Sequence, residues 1–161
     1  MRWIRHLAAG AGVRRLFPQA TLDAIHHAIV AGEKRHRGEV CFAIEQAMPW
    51  RDLARGRSAR DRAQDVFARL RVWDTQHNSG VLIYLLVAER AIEIIADRGI
   101  AARVDQKEWQ LICDRMRERF AAGDYERGVI DGVNEVSDIL ARHFPDDGST
   151  RNELADAPVV L

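Results

Sequence analysis

One uninterrupted apolar segment constrains the fold of this chain more than any other feature. The run Val81-Leu-Ile-Tyr-Leu-Leu-Val-Ala88 follows Gly80 and contains no charged side chain. It is far shorter than the roughly 20 residues of a membrane-spanning helix, and it is typical of a β-strand covered on both faces. After the polar break Glu89-Arg90, residues 91–96 predict a second strand. So short a connection predicts an antiparallel hairpin.

A third strand is predicted upstream of the hairpin. The segment Glu39-Val-Cys-Phe-Ala-Ile-Glu45 is rich in β-branched and aromatic residues. A helix that begins at Ser58, with Asp61 at the capping-box position, separates this strand from Val81. A strand that reaches the next strand through a helix pairs with it in parallel by a right-handed crossover, so the sheet is predicted to be mixed.

Helical periodicity fills most of the remaining chain. Three further helices are predicted, from Thr21 to about His36, from a cap at Asp105 with Glu108 to a stop at Gly123, and from about Tyr125 to His143. Residues 49–56 are predicted to form a loop. The sequence therefore predicts an α/β fold with a small mixed β-sheet and helices on both faces.

Length and composition set the domain organisation and exclude some functions. A chain of 161 residues fits one domain, here predicted as a basic N-terminal arm or helix over 1–20, an α/β domain over 21–148 and a tail over 149–161. Lys plus Arg and Asp plus Glu each number 24, a balance that argues against a dedicated nucleic-acid binder. Cys41 and Cys113 are too few for a disulfide framework and are predicted to be buried free thiols in a reducing compartment.

The N-terminus suggests where the protein acts. No segment is long enough to span a membrane, and the N-terminal residues do not make a good signal peptide, so we expect a cytoplasmic protein. No acidic residue occurs before Asp23, whereas the first 20 residues include Arg2, Arg5, Arg14 and Arg15. This arm either packs on the domain or contacts an anionic surface or partner protein, which makes a peripheral position at the inner membrane the alternative.

The predicted topology brings many polar residues to one edge of the sheet. Because the first two strands are parallel and the hairpin is antiparallel, that edge gathers His36, Glu39, Asp74, Thr75, His77, Asn78, Ser79, Asp97 and Arg98. Carboxylate and amide oxygens on loops suit a hard cation such as calcium, with Asp74, Asn78 and Asp97 as candidate metal ligands. The structural alternative is that Asp74 and Thr75 cap turns, Asn78 takes a positive-φ turn position and Asp97 pairs with Arg98 or a helix end.

The opposite edge holds a competing constellation of Glu45, Trp50, Arg51 and Asp52. Ligands of open α/β sheets favour this edge, where parallel strands end. Trp50 follows Pro49, however, and a tryptophan in this setting is more often a packing anchor, which is what we expect here. The stretch Arg69 to Trp73 could stack a base or clamp a phosphate, and its alternation favours an exposed extended edge instead. No GxGxxG, Walker A, GxSxG or HExxH motif occurs, so the sequence identifies no catalytic residues.

Several segments together resemble the bacterial TPM-domain proteins. The longest is Phe67-Ala-Arg-Leu-Arg-Val-Trp-Asp-Thr-Gln-His-Asn-Ser-Gly-Val-Leu-Ile-Tyr-Leu-Leu86, and Ile94-Ile-Ala-Asp-Arg-Gly-Ile100 follows it. The shorter ones are Arg14-Arg-Leu-Phe-Pro18, His36-Arg-Gly-Glu39, Ala141-Arg-His-Phe-Pro145, Asn152-Glu153-Leu154 and Pro158-Val-Val-Leu161. The resemblance extends from about residue 14 to the end, and it implies a three-layer, Rossmann-like α/β sandwich.

The resemblance also implies functions for the chain. Plant thylakoid relatives are linked to photosystem repair and to a weak acid phosphatase activity, some relatives bind calcium, and many bacterial members accompany membrane proteins. This chain resembles the short branch without a membrane segment. Asn78, Gly80, Asp97 and Gly99 match the family motifs.

The chain departs from the family at one position, where Ser79 replaces the asparagine that commonly precedes the glycine. A serine hydroxyl is a weaker cation ligand than an amide oxygen, and serine accepts a positive φ less readily than asparagine.

Three functions follow from these observations. The first is a binding or scaffold domain that uses calcium and supports a membrane-associated partner. The second is a metal-assisted phosphatase in which Asp74 or Asp97 would orient water or act as nucleophile. The third is a structural domain with no small ligand, whose N-terminal arm docks a protein.

Overall fold

The predicted hairpin and crossover are the centre of a four-stranded mixed sheet. A computed structural model describes residues 12–148 and 152–161 of the chain. Within these residues the strands are β1 (Glu39–Glu45), β2 (Gly80–Leu86), β3 (Ala91–Ala96) and β4 (Val159–Val160). The helices are α1 (Gly12–Leu16), α2 (Gln19–Glu33), α3 (Trp50–Ala54), α4 (Ala59–Arg69), α5 (Arg98–Ala101), α6 (Gln106–Ala121) and α7 (Tyr125–His143). A 3₁₀ turn over Val87–Glu89 joins β2 to β3.

The sheet has the order β3-β2-β1-β4. β2 pairs in parallel with β1, so that Glu39 lies beside Gly80, and antiparallel with β3, as the sequence predicts. β4 adds a short parallel strand on the outer side of β1, with Val159 beside Ala43 and Val160 beside Ile44. All seven residues of β2 are buried, which confirms that this strand is covered on both faces, and the seven residues of β1 are buried as well.

Two apolar cores lie on opposite faces of the sheet and make the molecule a three-layer sandwich. The larger core packs α1, α2, α6 and α7 against side chains such as Phe42 and Ile83. The smaller core packs α3 and α4 against alternate residues of the same strands, among them Ala43 and Tyr84. Successive side chains of a strand point to opposite faces, so one apolar run supplies both cores.

Several sequence predictions about local structure need correction. The first long helix begins at Gln19 after Pro18, whose fixed φ suits the start of a helix, and Thr21 lies inside the helix and donates from its hydroxyl to Glu126 at 2.5 Å. The predicted loop over 49–56 contains α3. The apolar strand ends at Leu86, before Ala88. The capping box of α4, by contrast, is confirmed, because Ser58 and Asp61 form it as predicted.

The segment after α4 is a turn and not an extended edge. Arg71 adopts a left-handed conformation with φ of 55°. The guanidinium of Arg71 lies 5.8 Å from the ring centre of Trp73, which is 48% exposed. Arg71 also pairs with Asp74. The alternation of Arg69, Arg71 and Trp73 in the sequence therefore does not mark a strand.

Part of the predicted N-terminal arm belongs to the folded domain. Val13 and Phe17 are buried in the larger core, whereas Arg14 and Arg15 between them are exposed. Arg2 and Arg5 lie outside the described residues. Among the residues that the structure describes, no helix has the length and hydropathy that crossing a membrane requires.

Candidate functional site

The sheet edge predicted to bind a cation is organised largely by hydrogen bonds among its own residues. Asn78 has a φ of 50°, and its Oδ1 accepts a hydrogen bond from Nε of Arg98 at 3.0 Å. Asp74 is exposed and pairs with Arg71. Thr75 is buried, and its hydroxyl oxygen accepts from the backbone N–H of Ser79 at 2.9 Å. The structure thus shows the turn and pairing roles that the sequence left as alternatives.

Asp97 has one oxygen engaged and one without a partner. Its side chain caps α5, where a carboxylate oxygen accepts from the N–H of Arg98 at 2.7 Å. The residue is 9% exposed, and its Oδ2 is buried without a hydrogen bond among the described residues. A buried carboxylate oxygen without a donor is costly. Asp97 is therefore the residue of the predicted metal set that has a buried ligand atom without a hydrogen bond among the described residues.

The two family glycines allow close backbone approaches at this edge. A Cβ on Gly80 would lie 1.9 Å from the carbonyl oxygen of Val72, and one on Gly99 would lie 2.6 Å from that of Asn78. Ser79 is buried, and its hydroxyl donates to the carbonyl of Arg37 at 3.1 Å. The positive φ falls on Asn78 and not on Ser79, so the serine leaves the turn unstrained.

The structure instead assembles three carboxylates that the sequence did not bring together. The three residues are Glu33 at the end of α2, Glu39 at the start of β1 and Asp156 before β4. Each contributes one carboxylate oxygen, and these oxygens lie within 4.8 Å of one another. Glu39 is only 3% exposed, and its two oxygens accept from the N–H groups of Glu153 and Leu154, each at 3.2 Å. Glu39 belongs to the edge predicted from the sequence, whereas Glu33 and Asp156 were missed.

Burial and mutual repulsion perturb the ionisation of this carboxylate cluster. The pKa of Glu33 is raised to about 8, mainly by burial and also by the charges of Glu39 and Asp156, against the effect of a hydrogen bond from the N–H of Val40. Burial likewise raises the pKa of Glu39, although the N–H groups of Glu153 and Leu154 oppose the shift. Carboxyl groups this close repel one another when all are ionised, so full ionisation is unfavourable without a compensating positive charge.

The cluster lies in an open groove of about 410 Å³. Its lining residues are Val30, Glu33, Lys34, Glu39, Asp146, Gly148, Asn152 and Asp156. This lining contains four carboxyl groups and one amide but a single lysine, so acidic groups outnumber basic ones in the groove. The groove is rich in oxygen ligands and contains no imidazole or thiol among these residues.

His36 is a core residue and not a ligand of the edge. It is fully buried, and burial lowers the pKa of its imidazole to about 4. Its Nδ1 lies 3.0 Å from the carbonyl oxygen of Gly38. Its Nε2 and the Oγ of Ser137 are both buried without a hydrogen bond among the described residues, and both lie close to the position that a Cβ on Gly32 would occupy.

The opposite edge forms a buried ionic network. Arg62 on α4 donates from Nε and a terminal nitrogen to the carboxylate of Glu45, at 2.8 and 2.6 Å. The hydroxyl of Tyr84 donates to the same carboxylate at 2.6 Å. Asp52 lies 3.7 Å from Arg62. Glu45 and Asp52 of the predicted constellation are therefore neighbours, held by an arginine that the sequence reading did not include.

Trp50 and Arg51 stay outside this network. Trp50 is 66% exposed, so the expectation that it anchors the packing is wrong. The guanidinium of Arg51 lies 5.6 Å from the ring centre of Trp50. Both oxygens of the Glu45 carboxylate already accept hydrogen bonds from Arg62 or Tyr84, which makes this end of the sheet a structural network more than a ligand site.

Comparison with known proteins identifies the family. The model of the TPM domain matches residues 13–139, so the chain belongs to the TPM domain family. The chain is similar to the BA42 protein from the psychrophilic bacterium Bizionia argentinensis, whose structure was determined by NMR. The two share 28% identity, with a TM-score of 0.78 over 88% of this chain and 93% of that one. The comparison with curated proteins gives no match.

Proposed function

We propose that this TPM domain binds a hard divalent cation, calcium in the first instance, in the acidic groove between α2, β1 and the C-terminal segment. The observation that carries this proposal is the approach of Glu33, Glu39 and Asp156, whose ligand oxygens lie within 4.8 Å of one another. Three separate chain segments supply these carboxylates. A cation bound there would therefore join the C-terminal segment to the domain, as expected of a binding or scaffold module.

The chemistry of the groove favours calcium over other metals. Calcium takes six to eight oxygen ligands in flexible geometry, whereas magnesium demands a near-ideal octahedron. The groove offers carboxylates and the amide of Asn152, and its open shape leaves room for water as further ligands. Zinc prefers nitrogen and sulfur ligands, which the lining residues lack.

Protons compete with the cation in this proposal. The pKa of Glu33 is raised to about 8, so this carboxyl is mostly protonated at neutral pH and must lose its proton to act as a ligand. Calcium affinity should therefore rise as the pH increases from 6 to 8. A site of already ionised carboxylates would show no such dependence in this range.

The sequence-predicted ligands Asp74, Asn78 and Asp97 define a second position for the cation. Its support is the buried Oδ2 of Asp97, which has no hydrogen-bond donor among the described residues. Against it, the side chains of Asp74 and Asn78 are already held by Arg71 and Arg98. In the acidic groove, no arginine among the described residues pairs with Glu33, Glu39 or Asp156, although the hydrogen bond between Glu33 and Asp156 must open when the proton leaves.

An amide NMR titration with calcium, and with magnesium as a control, tests both positions. Shifts concentrated at Glu33, Glu39 and residues 152–156 are the expected result. Shifts concentrated at residues 74–80 and 97–99 would move the site to the sequence-predicted edge. No shifts with millimolar calcium at pH 8 would overturn cation binding. The variant Glu118→Gln loses one exposed carboxylate outside the groove, and as a control it should show the same shifts as the unchanged chain.

The partner that such a domain supports is proposed to be membrane-associated and to dock on the N-terminal arm. Arg14 and Arg15 are exposed on α1, while Val13 and Phe17 fix that helix to the core. Reversing both charges should weaken binding to anionic vesicles or to a membrane protein complex without lowering thermal stability. Unchanged binding by the Arg14→Glu, Arg15→Glu variant would contradict this role.

A metal-assisted phosphatase is the second candidate function. The unpartnered Oδ2 of Asp97, next in sequence to Arg98, is the observation that favours it. Hydrolysis of a generic phosphomonoester in the presence of calcium or magnesium should then disappear in Asp97→Asn. Equal turnover by the two proteins would assign the activity to a contaminant.

A further inference from the structure

We propose that the end of the sheet at which β1 and β2 terminate docks on a bilayer of anionic phospholipids. In this docking surface Trp50 enters the headgroup region, and Arg51, Arg55 and Arg90 bind the lipid phosphates. The inference goes beyond cation binding and beyond the N-terminal arm, because it concerns the lipid itself and residues of other elements. It gives a role to Trp50 and Arg51, which lie outside the buried ionic network.

The outward face of α3 supplies the aromatic part of the docking surface. Trp50, Arg51 and Arg55 are exposed, whereas Asp52 and Leu53 between them are buried. Arg51 and Arg55 are four residues apart and therefore neighbours on the helix surface. Trp50 is 66% exposed, and the guanidinium of Arg51 lies 5.6 Å from its ring centre. The helix thus presents a large indole and two cations to solvent on the same side.

Arg90 lies at the same end of the sheet, in the turn between β2 and β3. Because β1 and β2 are parallel, Glu45 at the end of β1 lies beside Leu86 at the end of β2. The N–H of Ala88 donates to the carbonyl of Gln46 at 3.0 Å, which joins this turn to the segment that leads from β1 to α3. Arg90 is exposed and has a left-handed conformation with φ of 51°.

Two further apolar side chains are exposed at this end. β4 runs parallel to β1, and the N–H of Leu161 donates to the carbonyl of Ile44 at 2.8 Å, one residue before the end of β1. Val160 is 51% exposed and Leu161 is 38% exposed. Elsewhere among the described residues, the large apolar side chains that are exposed are Trp73 and Leu111. Apolar exposure therefore coincides with the arginines of the docking surface.

The cations of the docking surface are not neutralised within the domain. The side chains of Arg51, Arg55 and Arg90 form no ion pair with any residue that the structure describes. The acidic residues in the two connecting segments are less accessible, since Asp52 is buried and Glu89 is half-buried. Solvent therefore meets a positive surface beside the exposed indole.

The opposite end of the sheet has the opposite character. Glu39 begins β1 and Glu45 ends it, so the acidic groove lies roughly 20 Å along the strand from the docking surface. Arg35 and Arg37, near the groove, are both paired with aspartates. The net charge of the chain is zero, so attraction to an anionic bilayer depends on this local excess of positive charge. Docking turns the acidic groove away from the lipid charges.

Size and chemistry favour a bilayer over other anionic partners. A stable protein interface buries roughly 800 Å² on each partner, more than the outward face of a five-residue helix and a turn supply. A dedicated nucleic-acid binder is usually basic overall, and this chain is not. Tryptophan is enriched at bilayer interfaces, and each arginine close to an anionic leaflet strengthens binding roughly fivefold.

Co-sedimentation of the full chain with lipid vesicles tests the inference, in the presence of a chelator so that no cation contributes. We expect binding to phosphatidylcholine mixed with phosphatidylglycerol, weakening as the salt concentration rises, and no binding to phosphatidylcholine alone. The double variant Arg51→Glu, Arg55→Glu should lower the binding constant at least about 25-fold. Arg69→Glu, Lys107→Glu makes the same change in net charge with exposed residues of the other end, and it should retain binding.

The tryptophan has its own matched control. Trp50→Ser should weaken vesicle binding, whereas Trp73→Ser removes an exposed indole at the other end and should not. Unchanged binding by Trp50→Ser, or an equal loss in both variants, would overturn the proposal. So would the absence of vesicle binding by the unchanged chain, or binding of a DNA duplex or an acidic peptide in place of vesicles.

A paramagnetic label on the lipid headgroups tests the orientation with the unchanged chain alone. In NMR spectra with labelled bicelles, the amides of residues 47–56 and 87–91 should broaden most. Broadening centred on residues 71–78, or none, would overturn the proposal.

The same experiments separate this inference from the proposed role of the N-terminal arm. Vesicle binding that is lost in Arg14→Glu, Arg15→Glu but unchanged in Arg51→Glu, Arg55→Glu would refute the docking surface and leave the proposed function intact.

Discussion

Removing Arg62 should destabilise the domain strongly, because it leaves a buried carboxylate without its cation. The side chains of Arg62 and Glu45 are 8% and 6% exposed, and their carboxylate–guanidinium contact is bidentate. Truncating one member of a buried pair typically costs about 3–5 kcal/mol, since the other charge stays desolvated. For a domain of this size that corresponds to a fall in Tm of roughly 6–20 °C.

Three variants separate the contributions within this network. Arg62→Ala should cost about 3–5 kcal/mol. Tyr84→Phe removes one hydrogen bond to a charged group and should cost about 1.5–3 kcal/mol. Arg115→Ala is the matched control, because Arg115 pairs with Glu135 at the surface, where the loss should be about 1 kcal/mol or less.

Urea unfolding at pH 7 measures these differences in the free energy of unfolding. The slope of the free energy against urea concentration should stay constant, which shows that the variants unfold to a similar denatured state. A loss for Arg62→Ala no larger than that for Arg115→Ala would refute the reasoning. It would mean that water reaches Glu45 in the native protein.

Three other predictions concern buried groups away from this network. The pKa of His36 is lowered to about 4 in the folded protein and is about 6.5 in the unfolded chain. The free energy of unfolding should therefore fall by about 3 kcal/mol as the pH is lowered from 6.5 to 4. Replacing His36 with asparagine should remove this part of the pH dependence. Gly80→Ala should cost about 3 kcal/mol or more in urea unfolding, because its Cβ would overlap the Val72 carbonyl, whereas Gly12→Ala meets its nearest atom at 3.6 Å and should be nearly neutral. Burial raises the pKa of the Cys113 thiol to about 12, so Ellman's reagent should modify it only after unfolding; rapid labelling of the native protein would contradict its burial.

The sheet could be predicted from the sequence because its signals are local. The apolar run from Val81 fixes a strand covered on both faces, and the short break at Glu89-Arg90 fixes the hairpin. The capping box at Ser58 fixes the crossover helix. Each of these sequence features lies within a few residues of the element that it determines. The tertiary contacts of the fold then agree with the local preference of the chain and do not override it.

The acidic groove could not be predicted because it depends on long-range contacts. Asp156 reaches Glu33 and Glu39 because the two-residue strand β4 pairs with β1 and because the N–H groups of Glu153 and Leu154 bind Glu39. The run Val159-Val160 is too short to indicate a strand by itself, and nothing in the sequence identifies β1 of the same chain as its partner. Arg62 was likewise missed, because a charged residue on a helix normally faces water and this one faces the sheet.

Calcium binding measured by isothermal titration calorimetry at pH 8 tests the central claim most directly. The unchanged chain should bind, and Asp156→Asn should weaken the affinity about tenfold or more, because it removes one charged ligand of the groove. Asp97→Asn, which alters the other sheet edge, should leave the affinity unchanged. Equal affinity in Asp156→Asn, or a loss confined to Asp97→Asn, would contradict the assignment of the cation to the acidic groove.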